Sequence, residues 1–225
     1  MKTESEIRYI YEQLNKEYPE YANLKPQAKI TGDPYVSLIS VMLSAQSKDE
    51  RTMVATRQLF ALADNPYDMV QLDRDTIIDA IRPAGLYHGK SKNILAASQK
   101  LIDEYDGVVP STQKELMKLP GIGKKSSDIV MRFVFGAPNI AVDTHVFRIL
   151  WRLGWVDVKN ETKASTIVNE TTPYEYKYSA HIQLINHAKF VCRSRNPLCG
   201  ECVLSAVCDQ RDINVPKNQI GKNLP

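Results

Sequence analysis

Residues 119–130 read LPGIGKKSSDIV. A proline and two glycines around one isoleucine stand before an amphipathic run that opens on two lysines, Lys124 and Lys125. Cations oppose the helix dipole at an N-terminus and suit it at a C-terminus. The pattern therefore predicts one of two things. Either the lysines are solvated on a plain helix connector, or positive charge and exposed backbone N–H groups are both wanted there. Upstream, Thr112 and Glu115 have capping-box spacing ahead of Leu116, so a short helix precedes the turn. A second helix runs from Lys124 to Phe135. Two such helices joined through G-I-G make a helix–hairpin–helix. Gly121 and Gly123 let the chain turn tightly and let a ligand approach the backbone, with N–H groups facing it. The run Gly121, Ile122, Gly123, Lys124 is thus a candidate holder of one DNA phosphate, a contact that reads no base sequence.

Lys125 raises a second possibility. An ammonium at a helix N-terminus beside another lysine is disfavoured, and an amine in that position is a candidate nucleophile for Schiff-base chemistry. Eighteen residues on, IAVDTHVFR (140–148) places Asp143 where a helix N-cap belongs. A carboxylate one helix and one turn beyond Lys125 also suits proton uptake, orientation of a nucleophile or stabilisation of an oxocarbenium-like sugar. The two roles do not exclude each other. His145, in the same segment, reads first as a structural histidine and is kept as a DNA-contact candidate.

Outward from these segments, helical periodicity dominates. Ile7, Ile10, Tyr11, Leu14 and Tyr18 recur at three and four, one face of an amphipathic helix. PYVSLISVMLSAQ (34–46) is apolar nearly all round, with proline at a helix start, and predicts a buried helix. Helices are expected at 49–62, 74–81, 91–105, 161–170 and 178–190. Strand signals are too short to build a sheet, and from Arg211 the periodicity is lost, so an extended end is expected. The fold class is all-α.

The chain has 225 residues, of which 43% are hydrophobic and 24% charged, and a formal net charge of +3. These values suit a globular protein and permit a polyanionic partner without demanding one. No apolar run reaches membrane-spanning length, and the charged, periodic N-terminus is unlike a secretory signal. A cytoplasmic protein with no membrane partner is expected.

All four cysteines fall in one window, Cys192, Cys199, Cys202 and Cys208, spaced C-x6-C-x2-C-x5-C. A chain without export signals keeps thiols reduced, which argues against two disulfides. Four thiolates suit tetrahedral zinc or an iron–sulfur cluster. Zinc sites usually pair two short knuckles, and only one short spacer is present here, which favours the cluster.

Together these segments resemble the endonuclease III family, helix–hairpin–helix DNA glycosylase/AP lyases that carry a 4Fe-4S cluster. The resemblance rests on MLSAQSKD (42–49), GLYHGKSKNI (85–94), LPGIGKKSSDIV (119–130), AVDTHVFRI (141–149) and the cysteine loop, in the family's order. It implies a two-lobed fold: a six-helix bundle at 27–137, and an iron–sulfur domain combining 1–26 with 138–225. Damaged double-stranded DNA would lie in the groove between them, bound by a monomer associated with the nucleoid in a prokaryote. Lys125 falls on the catalytic lysine that attacks C1′, and Asp143 on the catalytic aspartate. Gln46 and Leu86 fall where side chains fill the gap left by a flipped nucleotide. Arg193 and Arg195 would meet phosphate from the cluster loop. Some positions depart from the family: Lys48 for threonine, Asp128 for asparagine, Ala188-Lys189 for Gly-Arg, and Leu198 where a basic residue is expected. The sister adenine glycosylases need a glutamate where this chain has Ser40, and mismatch thymine glycosylases replace the hairpin lysine.

Overall fold

The computed structural model describes residues 1–22, 24 and 33–213, and among them every regular element is helical. The chain divides into two compact units, Ala28–Ala137 and Met1–Gln27 with Pro138–Pro225. The break expected at 26/27, and the tail beyond residue 213, lie outside the described residues.

Helix α1 (Glu4–Glu17) belongs to the other unit, and the first helix of the continuous unit is α2 (Pro34–Ser44). Asp33 caps it by accepting from the Tyr35 and Val36 N–H groups, and Pro34 supplies a preset φ where no N–H is needed. Around it stand α3 (Asp49–Phe60), α4 (Pro66–Met69), α5 (Arg74–Ile81), α6 (Tyr87–Tyr105), α7 (Gln113–Leu116) and α8 (Lys124–Phe133). Helix α2 packs against α3, α6 and α8, and this explains its apolar character all round. Leu38, Ile39, Leu43, Leu59, Ile81, Ile94 and Val130 meet in the core.

Helix α6 starts at Tyr87, four residues ahead of the start expected from periodicity at Ser91. Gly89 hides that first turn from a propensity reading. The one-turn helix α4 also has no sequence-derived counterpart; Asn65 caps it and Pro66 opens it.

The other unit holds α1 (Glu4–Glu17), α9 (Thr144–Leu153), α10 (Glu161–Thr171) and α11 (Lys177–Phe190). Two single 3-10 turns, Cys199–Glu201 and Ser205–Val207, follow in the cysteine segment. Thr3 and Glu6 form a complete capping box on α1. Its stripe of Ile7, Ile10, Tyr11 and Leu14 joins Val146, Leu150, Trp155 and Leu184 in a second core. Among the described residues no helix is long and apolar enough to cross a membrane.

Candidate nucleic-acid interface

The hairpin is anchored from below. Leu119 and Ile122 are buried in the core of their unit, and the Ile122 N–H closes the turn onto the Leu119 carbonyl at 3.1 Å. Ile122 is therefore placed as an anchor, its side chain and its N–H both committed inside the protein. The glycines on either side differ. Gly121 sits at φ +82°, and a Cβ there would lie 2.9 Å from Cβ and Nδ2 of Asn93 on α6, so backbone and packing both require glycine. Gly123, the N-cap of α8, has an ordinary φ of −95°, and a Cβ on it would meet nothing within 4 Å. The fold does not need glycine at that position; bare backbone there leaves room for a ligand in front of the helix. Neither glycine's N–H has an acceptor among the described residues.

The two lysines also part company. Lys124 Nζ lies 2.8 Å from both carboxylate oxygens of Asp128, one turn on, and Asp128 is fully buried. Gln113 of α7 donates its amide to the same carboxylate, and Ser127 Oγ donates to the Lys124 carbonyl at 2.7 Å. So the departure at Asp128 ties the first turn of α8 to α7 and offsets one of the two charges. Lys125 is exposed.

Gln46 and Leu86 share a backbone peculiarity: each is a non-glycine residue in the left-handed region, at φ 53° and 50°. Ala45 (φ −57°, ψ 119°) and Gln46 are the central pair of a turn with type II geometry, closed by the Ser47 N–H to Ser44 O at 3.1 Å. Leu86 follows Gly85 as the N-cap of α6 and is 60% exposed. A branched side chain held in this region is uncommon, and such strain gathers at sites where a ligand is met. Gln46 and Leu86 line one open pocket, together with Tyr87, His88, Asn93 and Gly121. Lys48 is exposed just beyond it. Ser40 Oγ donates to Val36 O of its own helix at 2.7 Å, so no acid stands where an adenine glycosylase needs one.

In the other unit, Asp143 caps α9, as its position predicts. Its Oδ1 accepts from the His145 and Val146 N–H groups at 2.9 and 2.8 Å. The half-buried carboxylate keeps Oδ2 outside those bonds. His145 Nδ1 stands 3.5 Å from Arg148 Nη2.

Arg148 and Arg152 do work that sequence reasoning did not assign. Arg148 donates to the carbonyls of Ala188 (2.6 Å) and Cys192 (3.0 Å), and the buried Arg152 donates to those of Arg193 (2.7 Å) and Ser194 (3.2 Å). Together they hang the start of the cysteine loop from α9 and leave the side chains of Arg193 and Arg195 exposed. Their one sequence signal is the i, i+4 pair of arginines on a helix that is otherwise apolar toward the core.

All four cysteines line one cavity, with Val191, Pro197, Leu198 and Ile213 among its walls. Burial raises the thiol pKa of Cys202 to about 12 and of Cys208 to about 11, and pushes Cys199 up as well. Buried sulfurs of this kind become thiolates only opposite positive charge. Among the described residues, no three His, Cys, Asp or Glu side chains gather as a single-ion site. Four sulfur donors around one largely apolar cavity have the chemistry to hold a thiolate-ligated metal group. His187, buried so that its pKa falls to about 4, places Nε2 3.3 Å from Cys202 Sγ.

The hairpin with its unpaired glycine N–H groups, and the all-helical fold around it, are what a DNA glycosylase of the helix–hairpin–helix class would show. Residues 39–173 match the family described as HhH-GPD superfamily base excision DNA repair protein. The chain is 35% identical over 179 residues to endonuclease III of Escherichia coli (strain K12), covering 80% of this chain and 85% of that one. To endonuclease III of Buchnera aphidicola it is 35% identical over 195 residues, 87% and 90% of the two chains. A solved non-covalent endonuclease III–DNA complex superposes with a TM-score of 0.81 at 33% identity, covering 93% of this chain and 97% of that one. A trapped endonuclease III–DNA covalent intermediate gives the same values. A thermostable thymine-DNA glycosylase, at 20% identity and a TM-score of 0.78, shares the fold. The chain belongs to the endonuclease III family of the HhH-GPD superfamily.

Proposed function

We propose that this chain excises oxidised pyrimidines from duplex DNA in base excision repair and nicks the resulting abasic site by β-elimination. The observation that carries the reading is Lys125: an exposed amine in the first turn of α8, directly after the turn whose two glycine N–H groups face outward. Phosphate held there brings the sugar of a neighbouring nucleotide to the amine. The Lys125 Nζ lone pair bonds to C1′ as the C1′–N bond breaks and the base leaves with a proton. The sugar ring opens to an iminium, loss of a C2′ proton expels the 3′ phosphate, and water releases the lysine. Asp143 takes the proton that Nζ sheds and passes it to the departing base, so that its carboxylate is again available to stabilise positive charge on the sugar. Oδ2 is the oxygen suited to this, because Oδ1 is held by the α9 cap.

Gln46 and Leu86 enter the space of the extruded nucleotide and replace part of its stacking. Gly121 and Gly123 hold phosphate, with Lys124 flanking them, and Arg193 and Arg195 meet the backbone from the cysteine loop. Cys192, Cys199, Cys202 and Cys208 hold a 4Fe-4S cluster, whose contribution is to fold that loop. Residues 27–137 form the bundle domain and 1–26 with 138–225 the cluster domain, in a monomer that works on the chromosome, in a prokaryote the nucleoid.

The test is borohydride trapping on duplex DNA carrying thymine glycol or an abasic site. Wild type should give a covalent adduct. Lys125→Ala should give none, with stability within about 0.5 kcal/mol of wild type because the side chain is exposed. Asp143→Asn keeps a good helix cap and should slow trapping about 10²- to 10⁴-fold. Base release without an adduct in wild type would make this a monofunctional glycosylase and leave Lys125 outside the chemistry.

A further inference from the structure

Lys90 is a buried cation in the bundle unit that the chemistry above does not use. It lies in the first turn of α6 and is 7% exposed. Its Nζ donates to the Leu43 carbonyl at 2.7 Å and to the Ala84 carbonyl at 3.1 Å, and among the described residues no carboxylate pairs with it. An ammonium removed from water is unfavourable unless its donors are satisfied. Burial accordingly lowers its pKa. Packing alone would be served as well by methionine or leucine.

The two carbonyls explain why an amine stands here. Leu43 O is one of the last four carbonyls of α2, which have no partner within their helix and carry the negative end of its dipole. Three residues later the chain reaches Gln46. Ala84 O ends the 3-10 turn Arg82–Ala84, two residues ahead of Leu86. The backbone N–H of Lys90 itself donates to Leu86 O at 3.0 Å. One residue thus grips the approach to Gln46, the approach to Leu86, and Leu86 directly. Each gripped carbonyl lies two or three residues ahead of a non-glycine residue in the left-handed region, Gln46 or Leu86.

We propose that Lys90 is a positioning residue for nucleotide extrusion, setting the spacing of Gln46 and Leu86 by bridging the two backbone segments that carry them. This rests on the glycosylase reading. It predicts a loss in the step that empties the helix, with DNA affinity nearly kept, because no phosphate contact is touched.

The experiment is a double-mutant cycle. Lys90→Met is measured in the wild-type background and in Gln46→Ala/Leu86→Ala, using single-turnover release of thymine glycol and the fluorescence of 2-aminopurine placed beside the lesion. In the wild-type background, excision and the 2-aminopurine signal should fall about 10- to 100-fold, the scale of a misplaced positioning group. In the double-alanine background the same change should cost less than about twofold, since interacting residues are non-additive. An equal factor in both backgrounds overturns the proposal, as does excision within about twofold of wild type. Should Lys90→Met fail to melt cooperatively, Lys90→Gln, whose amide reaches one carbonyl at most, carries the same cycle. Excision and trapping by wild type test the glycosylase reading separately. If both occur and the cycle is additive, the role of Lys90 alone is overturned.

Discussion

The hairpin and its neighbouring turns hold themselves in place, whereas the cysteine loop does not. Around the hairpin, protein partners hold several of the strained or charged groups: Asn93 packs over Gly121, Gln113 and Asp128 fix Lys124, and Lys90 joins the end of α2 to the turn before α6. Between Cys192 and Cys208 there are two single 3-10 turns, and Leu204 is the one fully buried hydrophobic side chain. Arg148 and Arg152 fasten the start of that loop; the rest surrounds a cavity lined by sulfur. A site that meets phosphate and base must be rigid before DNA arrives. A loop whose proposed task is to present Arg193 and Arg195 could draw its order from the proposed cluster.

Removing the proposed cluster is therefore the largest perturbation expected, and one confined to one side of the comparison. Chelation of the oxidised protein, or Cys202→Ser, should speed amide exchange across 192–213 and abolish tight DNA binding. Helices α2, α3, α5 and α6 should keep their protection, because their core contains no part of the loop. Exchange rising equally in both units would show that the bundle depends on the cluster too.

Within the hairpin, Asp128→Ala should be the most costly change, at about 3 kcal/mol by chemical denaturation. It removes the acceptor of the shorter Gln113 hydrogen bond and the carboxylate that Lys124 pairs with, and breaking a buried pair costs more than the pair contributes. Asp128→Asn restores the residue expected of the family and keeps an acceptor, so about 1 kcal/mol is expected. If alanine costs no more than asparagine, the ion pair contributes nothing to the rigidity of the turn.

What was legible in the sequence follows the same division. The hairpin, the caps at Thr112 and Asp143 and the cysteine spacing are local patterns, each settled within a few residues of chain, and all could be read directly. Lys90 was not legible, although it continues the stripe Ile94, Ala97 and Leu101 backward at helical spacing. A lysine on an apolar face reads as a helix edge, and its carbonyl partner Leu43 is 47 residues away. Arg152 hid for the same reason, since carbonyls near residue 193 have no side-chain signature. The left-handed turns at Gln46 and Leu86 went unseen because only glycine or asparagine normally announces that region.

The two hairpin glycines give the finest division of the comparison, because the fold requires one and the proposed phosphate contact requires the other. Gly121→Ala forces a Cβ into the left-handed region and against Asn93, and should cost about 2 kcal/mol of stability. Gly123→Ala meets nothing in the protein, so stability should stay within about 0.5 kcal/mol. Its methyl group would instead stand where phosphate approaches the start of α8. Binding to duplex DNA should weaken, and the slope of log K against log salt should fall by about 1, the signature of one lost phosphate contact. Measuring both slopes decides the assignment. If Gly123→Ala leaves the slope unchanged while Gly121→Ala, corrected for unfolded protein, lowers it, the phosphate sits over Gly121 and the open space before α8 has another use.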